Sequence, residues 1–302
     1  MAAYKKLRDR FSFTQLCLTP ELAVEVTLQP LQAFDFDAAI LFSDILFPLE
    51  ALGIHPSFET ERGPKLSGCA WEGLLPPADL PSALIETIGG VYTAASMLSS
   101  HLDTPLIGFS GAPWTLSAFI IEGGAPKSAQ RTLSAIKEPF FASLMHTLED
   151  LVVEHAKLQI RAGCHAIQIF DSCVDLLPPS LVEKYSFLPF QRIVSRLPPC
   201  PIIFYKARKD LYPKGSKAAL SFDDSLDISL IRQHLPPSTA IQGNLDPKWL
   251  LKPREELVTE VRRICDSMKD DPGFIFNVAR GILPETSEEA VRCLVDTVKG
   301  RL

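Results

Sequence analysis

The chemistry of this chain starts at an aspartate that ends an apolar run. In Asp37-Ala-Ala-Ile-Leu-Phe-Ser-Asp-Ile-Leu46 the hydrophobic stretch breaks into a Ser-Asp pair where a buried strand would stop. Continuous apolar runs of this kind belong to parallel strands covered on both faces, and α/β folds gather their site chemistry at the carboxyl ends of such strands. Asp44 is therefore the first candidate for a catalytic carboxylate; the plainer alternative is that it caps the turn that follows. Other chemistries find less support. Ser110 stands in Gly108-Phe-Ser-Gly111, where the glycine follows the serine directly, and a nucleophile elbow needs Gly-x-Ser-x-Gly. Neighbouring Trp114 reads as packing. The six histidines show no ligand spacing such as HExxH, and the seven cysteines include no CxxC pair, so neither a metal site nor a disulfide framework is expected. His146 and His155 fall on a helical stripe and read as packing or surface residues. Asp171 and Asp223 read as holders of loop backbone or of basic side chains.

Strands that each end in a polar or glycine-containing step recur along the chain. Besides the run before Asp44 they are expected at Pro105–Ser110, Ala166–Ser172, Pro201–Lys206, Leu220–Asp223, Ala240–Leu245 and Phe274–Asn277. Segments of helical period lie between them. One is the stripe Phe141, Leu144, Leu148, Leu151, Val152 and Leu158, stopped by Gly163; the last helix is expected to open on a capping box of Thr286 and Glu289. Strands alternating with helices imply a parallel sheet with right-handed crossovers. The count reaches about seven βα units, one short of a closed (β/α)8 barrel. The fold expected is thus an α/β TIM barrel lacking its first strand, a single domain over residues 1–302, with the absent strand ahead of Met1. The formal charge of −6 speaks against general nucleic-acid binding. There is no signal peptide and no apolar run approaching about 20 residues, so no membrane association is expected. Scattered cysteines suit a reducing cytoplasm.

Five segments carry a resemblance. Phe42-Ser-Asp-Ile-Leu46, Gly108-Phe-Ser-Gly-Ala-Pro-Trp-Thr-Leu116 with Glu122-Gly-Gly124, Gln168-Ile-Phe-Asp-Ser172, Gln242-Gly-Asn-Leu-Asp-Pro247 and Gly281-Ile-Leu-Pro-Glu-Thr286 resemble the signature segments of the uroporphyrinogen decarboxylase family, in the family's order. The similarity runs from about Tyr4 to the C-terminus. It implies a single-domain (β/α)8 barrel, a homodimer, and removal of CO2 from the four acetate side chains of uroporphyrinogen III to give coproporphyrinogen III, with neither metal nor organic cofactor. It further implies that Asp44 faces the pyrrole N–H groups and that Ser172 hydrogen-bonds a substrate carboxylate. The alternative for Ser172 is an N-cap or turn hydroxyl.

Three departures from the family stand out. Phe119 takes the place of a substrate-facing tyrosine, keeping the ring and losing the hydroxyl. Arg280, in Phe276-Asn-Val-Ala-Arg-Gly281, takes the place of a histidine, so a switchable charge becomes a permanent one. It could bind a substrate carboxylate in a bidentate way, or pair with a neighbouring acid. The family's Arg-Gln-Ala-Gly-Arg-Tyr segment, with two substrate-binding arginines, aligns just ahead of Met1, so the chain as written is expected to be truncated and impaired. The cluster Lys206-Ala-Arg-Lys209 could steer a polyanion or be a solvated loop. A non-catalytic porphyrinogen-binding homologue is the second reading. A methyl-transferring relative is the third, disfavoured because no His/Cys zinc constellation is present.

Overall fold

The computed structural model describes residues 1–58, 63–68, 76–207, 211–215 and 217–302, which group into two compact units. The first comprises residues 2–29 and 37–202, the second residue 1, 30–36 and 203–302.

In chain order the first unit holds helices α1 (Ala2–Arg8), α2 (Phe13–Leu18) and α3 (Pro20–Ala33, whose end passes into the second unit), strand β1 (Ala39–Ile40), a hairpin of β2 (His55–Ser57) and β3 (Lys65–Ser67), helix α4 (Leu80–Ser99), strand β4 (Leu106–Gly111), helices α5 (Pro113–Glu122), α6 (Gln130–Ala135) and α7 (Pro139–Arg161), strand β5 (Ala166–Phe170), and helices α8 (Pro179–Val182) and α9 (Leu188–Arg196). Strands β1, β4 and β5 are parallel neighbours in that order, with Ala39 opposite Leu106 and Ile107 opposite Ala166. The expected first strand is much shorter than its apolar run. Its ladder continues to Leu41, whose N–H reaches Ile107 O at 3.0 Å; the next N–H, of Phe42, turns instead to Thr27 Oγ1 at 3.0 Å. That side-chain acceptor pulls the chain off the sheet two residues before Asp44.

The stripe read from the sequence is the buried face of α7, where Phe141, Leu144, Leu148, Leu151, Val152 and Leu158 are all inside. Gln159 on the same helix pins β4: its amide donates to Phe109 O and accepts from Phe109 N, both at 2.9 Å. Gly163 then adopts φ 102° and ends the run, as a residue without Cβ does best. Under α4, the chain passes so close that a Cβ on Gly90 would lie 1.9 Å from Leu18 O. The hairpin was not foreseen, since three-residue strands, one of them containing Pro56, give almost no periodic signal.

The second unit holds β6 (Ile202–Ala207, its first residue in the first unit), β7 (Ala219–Phe222), helix α10 (Ile228–Arg232), β8 (Ile241–Leu245), helix α11 (Arg254–Met268), β9 (Phe274–Val278) and helix α12 (Glu288–Val298). Its strands are parallel and adjacent in sequence order: β6 with β7, β7 with β8, β8 with β9. Among the described residues β1 has a strand neighbour only in β4, and β9 only in β8. The capping box expected at Thr286 and Glu289 is replaced by a simple N-cap one residue later, with Ala290 in the third helical position. Thr286 N–H closes a turn on Leu283 O, Ser287 is extended (φ −76°, ψ 150°), and Ser287 Oγ accepts from Ala290 N at 3.1 Å. Among the described residues no helix is long and apolar enough to cross a membrane.

Candidate active site

Asp44 lies four residues beyond β1, at the carboxyl end of the strand, as its sequence context implied. Its Oδ1 accepts from Leu46 N at 2.9 Å, and no other described residue hydrogen-bonds the carboxylate. One oxygen is therefore spent on the turn and the other is free for a donor. The turn-capping alternative weighed from the sequence is the one observed, and the side chain still presents an acceptor. Burial pushes its pKa up to about 6, against the opposing pull of the Leu46 N–H. A carboxylate drawn out of water with a single N–H in exchange finds its charged form costly. The aromatic residues on either side of it in the chain pack among themselves and on the N-terminal helices: Phe42 lies edge-on against Tyr4 and Phe13 with ring centroids 5.9 and 5.7 Å apart, and Phe47 and Phe13 lie against Phe58.

Two further groups beside this loop come from the N-terminal helices and were not singled out from the sequence. Cys17 on α2 is fully buried, and burial together with the Asp44 charge pushes its thiol far up, so it stays neutral. Arg8 caps α1, donating to Phe11 O at 3.0 Å and resting 5.9 Å over the Phe13 ring. Cys17 feels the Asp44 charge from α2, and Arg8 in turn acts on Cys17 from α1. The one sequence signal for this arrangement is Ser12-x-x-Gln15, a capping box that fixes the start of α2 and hence the face carrying Cys17.

Ser172 lies two residues beyond β5, at the same ends of the parallel strands as Asp44. Its hydroxyl is exposed and is engaged by no described residue. Its neighbours are held firmly. Asp171 is fully buried and accepts from Thr115 Oγ1 at 2.7 Å and Ser186 Oγ at 2.5 Å. Cys173 N–H donates to Thr115 Oγ1 at 3.0 Å, and Trp114 Nε1 donates to Cys173 O at 2.9 Å. The first turn of α5 thus grips both residues flanking Ser172 and leaves its hydroxyl in solvent. Asp171 is a loop holder; burial nonetheless raises its pKa to about 6, with the two hydroxyls pulling the other way. Trp114, fully buried, packs.

Phe119 is one of two residues of α5, with Glu122, that are not fully buried. Its carbonyl accepts from both Gly123 N and Gly124 N, at 2.9 and 3.0 Å, and Gly124 bridges to Lys65 of the hairpin. The Glu-Gly-Gly segment therefore fixes the end of α5 that carries the ring. Glu122 in turn accepts from the N–H and hydroxyl of Thr132.

In the second unit Arg280 follows β9, is exposed, and is ion-paired with Asp224 after β7. Of the two readings of Arg280, pairing with a neighbouring acid is the one observed in this state. Lys206 pairs with Asp223 at 2.7 Å, which makes Asp223 a holder of a basic side chain. Arg208 and Lys209 of the same cluster lie outside the described residues. His155 is buried and bonded through Nδ1 to Tyr92 OH at 2.9 Å; burial lowers its pKa to about 4. It is a neutral core histidine.

Comparison with known proteins follows the same lines. Residues 1–301 match the family model described as uroporphyrinogen decarboxylase (URO-D). Proteins named uroporphyrinogen decarboxylase from Jannaschia sp., Syntrophotalea carbinolica and Protochlamydia amoebophila are 37%, 38% and 37% identical to it. The alignments cover 95%, 98% and 100% of this chain and 87%, 88% and 85% of those proteins. Among solved structures, a methyltransferase from Methanosarcina mazei superposes with a TM-score of 0.79 at 19% identity, covering 94% of this chain and 86% of that one. A B12-independent methionine synthase from Shewanella sp. gives 0.59 at 13%, covering 93% and 86%. At such identities these two likenesses speak for the fold alone, and that fold is of the (β/α)8-barrel class. With the strand-end aspartate, the Gln-Ile-Phe-Asp-Ser strand and the Glu-Gly-Gly segment each in place, and a family match over nearly its whole length, the chain belongs to the uroporphyrinogen decarboxylase family.

Proposed function

We propose that this chain decarboxylates the four acetate side chains of uroporphyrinogen III, yielding coproporphyrinogen III and CO2. The observation that carries the reading is Asp44: a carboxylate at a strand's carboxyl end, largely withdrawn from water, with one oxygen anchored and the other free. Loss of CO2 from a pyrrole acetate needs a sink for the electron pair of the breaking C–C bond. Protonation of a pyrrole ring carbon supplies it, since the ring then becomes a cation of iminium character. The electron pair flows into the ring as CO2 leaves, a proton is added to the exposed methylene to make a methyl group, and the ring proton departs. Asp44, accepting from pyrrole N–H groups, stabilises the cation where it develops, and its burial strengthens that interaction. Ser172 donates its free hydroxyl to a substrate carboxylate. Arg280 contributes a guanidinium to another, and Phe119 offers an apolar ring where relatives offer a hydroxyl.

The test is Asp44→Asn. Asparagine keeps the shape and loses the charge, so CO2 release should fall roughly 100-fold while porphyrinogen affinity changes little, the pattern of a lost transition-state interaction. A folded variant releasing CO2 at the normal rate removes Asp44 from this role. We also infer a cytoplasmic homodimer; light scattering should report twice the 33.3 kDa of the chain, and a monomer at working concentration refutes it.

A further inference from the structure

The Arg280 guanidinium does not wait for substrate unpaired. Its Nη2 donates to Asp224 Oδ2, and the Arg280 side chain remains 56% exposed while that of Asp224 is only 18% exposed. Both partners are held from behind. The backbone beside Arg280 is clamped twice, because Ala279 N–H donates to Leu245 O at 2.8 Å and Ala279 O accepts from Tyr205 OH at 3.2 Å. The loop carrying Asp224 is pinned from β8, where the Asn244 amide donates to Asp223 O at 2.7 Å and to Leu226 O at 2.6 Å. Around the pair stand Lys206, already matched by Asp223 at 2.7 Å, and Asp246, which caps its own turn by accepting from Lys248 N. Among the described residues, Lys206 and Arg280 stand here against Asp223, Asp224 and Asp246, one more negative charge than positive.

Such a corner is a poor receptor for a polyanion so long as Asp224 is ionised and in place. A carboxylate approaching Arg280 meets a carboxylate already there, fixed at low entropic cost by the Asn244 and Tyr205 clamps. We propose, on the decarboxylase reading above, that Asp224 sets substrate affinity by acting as an internal competitor for Arg280, one that a tetrapyrrole carboxylate must displace to engage the guanidinium. Tyr205 and Asn244 are positioning residues that hold the two competitors in register. The exposed side of the guanidinium gives the incoming carboxylate its path, and the mostly covered side is the one Asp224 occupies.

The test is binding of uroporphyrin, the stable fluorescent oxidised form of the substrate, to the full chain, read by fluorescence titration alongside turnover of uroporphyrinogen. Asp224→Asn should tighten uroporphyrin binding about threefold or more, the scale of a part-exposed ion pair, and make that binding more salt-sensitive. Asp224→Glu, which keeps the competing charge, should bind like the original chain. In an Arg280→Ala background, Asp224→Asn should have much less effect, because there is no guanidinium left to contest. Weaker binding by Asp224→Asn overturns the proposal, since it means that Asp224 orients Arg280 for substrate rather than competing with it. An equal gain in both backgrounds overturns it too, leaving only bulk repulsion. Failure of the decarboxylase reading looks different: the original chain would neither bind uroporphyrin nor turn over uroporphyrinogen, whatever stands at position 224.

Discussion

Asp44 must be ionised to stabilise a pyrrole cation, yet burial holds its pKa at about 6, well above an ordinary aspartate at about 4. The sign follows directly. Above pH 6 the carboxylate is charged and competent; below it the group takes up a proton and the cation loses its partner. kcat/KM for uroporphyrinogen should therefore show an acid limb with an apparent pKa near 6, and a profile flat down to pH 4.5 would mean that Asp44 does not act as the charged group. At this scale the sequence was informative where a residue ends a strand. Asp44 could be read from its place just past an apolar run, whereas Ser172 and Arg280 were singled out by the resemblance to the family. Their partners could be read from neither. Cys17 reaches Asp44 from a helix 27 positions earlier, and Asp224 reaches Arg280 from a loop 56 positions away; such pairings are made by topology, which local pattern does not encode.

Elements divide in the same manner. The long α7 and the strands β4, β5, β6, β7, β8 and β9 were legible because their patterns persist for four residues or more, and their observed bounds differ from the expected ones by no more than two residues. Short elements escaped or shifted: the β2–β3 hairpin, the truncated β1, and the start of α12. That last shift makes a sharp test. Ser287→Ala removes the hydroxyl that accepts from Ala290 N and should cost about 1 kcal/mol in chemical denaturation. Thr286→Ala should be close to neutral, because the Thr286 hydroxyl is buried with no hydrogen-bond partner among the described residues. Equal losses at the two positions would restore the capping box read from the sequence. The pair of threonine and serine is chemically ambiguous as a cap, and the Leu283–Thr286 turn decides between them.

The stability of the molecule against acid depends on three buried groups, one pulling against the other two. His155, lowered from 6.5 to about 4, is neutral in the folded chain and protonated in the unfolded one between those values, so stability is lost as pH falls from 6.5 to 4. Asp171 and Asp44, each raised from 3.8 to about 6, bind their protons more readily when folded, so stability is gained as pH falls from 6 towards 3.8. Each group amounts to roughly 3 kcal/mol, so in the intact chain the histidine is outweighed. Asp171→Asn should leave the histidine opposed by Asp44 alone: between pH 6.5 and 4 its melting midpoint should drop progressively relative to that of the original chain. Parallel pH profiles for the two proteins would show that the Asp171 shift is absent. The close passage of Leu18 O beneath Gly90 bears on the history of this chain rather than its chemistry. Most helix positions drift freely among residues of similar character, but at position 90 the carbonyl of a neighbouring segment already fills the place of a side chain. Gly89, one step around the same helix, has its nearest such contact at an ordinary 3.8 Å. Descendants of this sequence can therefore exchange glycine for alanine at 89 and gain helix propensity, whereas at 90 every lineage must keep glycine or first move the end of α2 that carries Leu18.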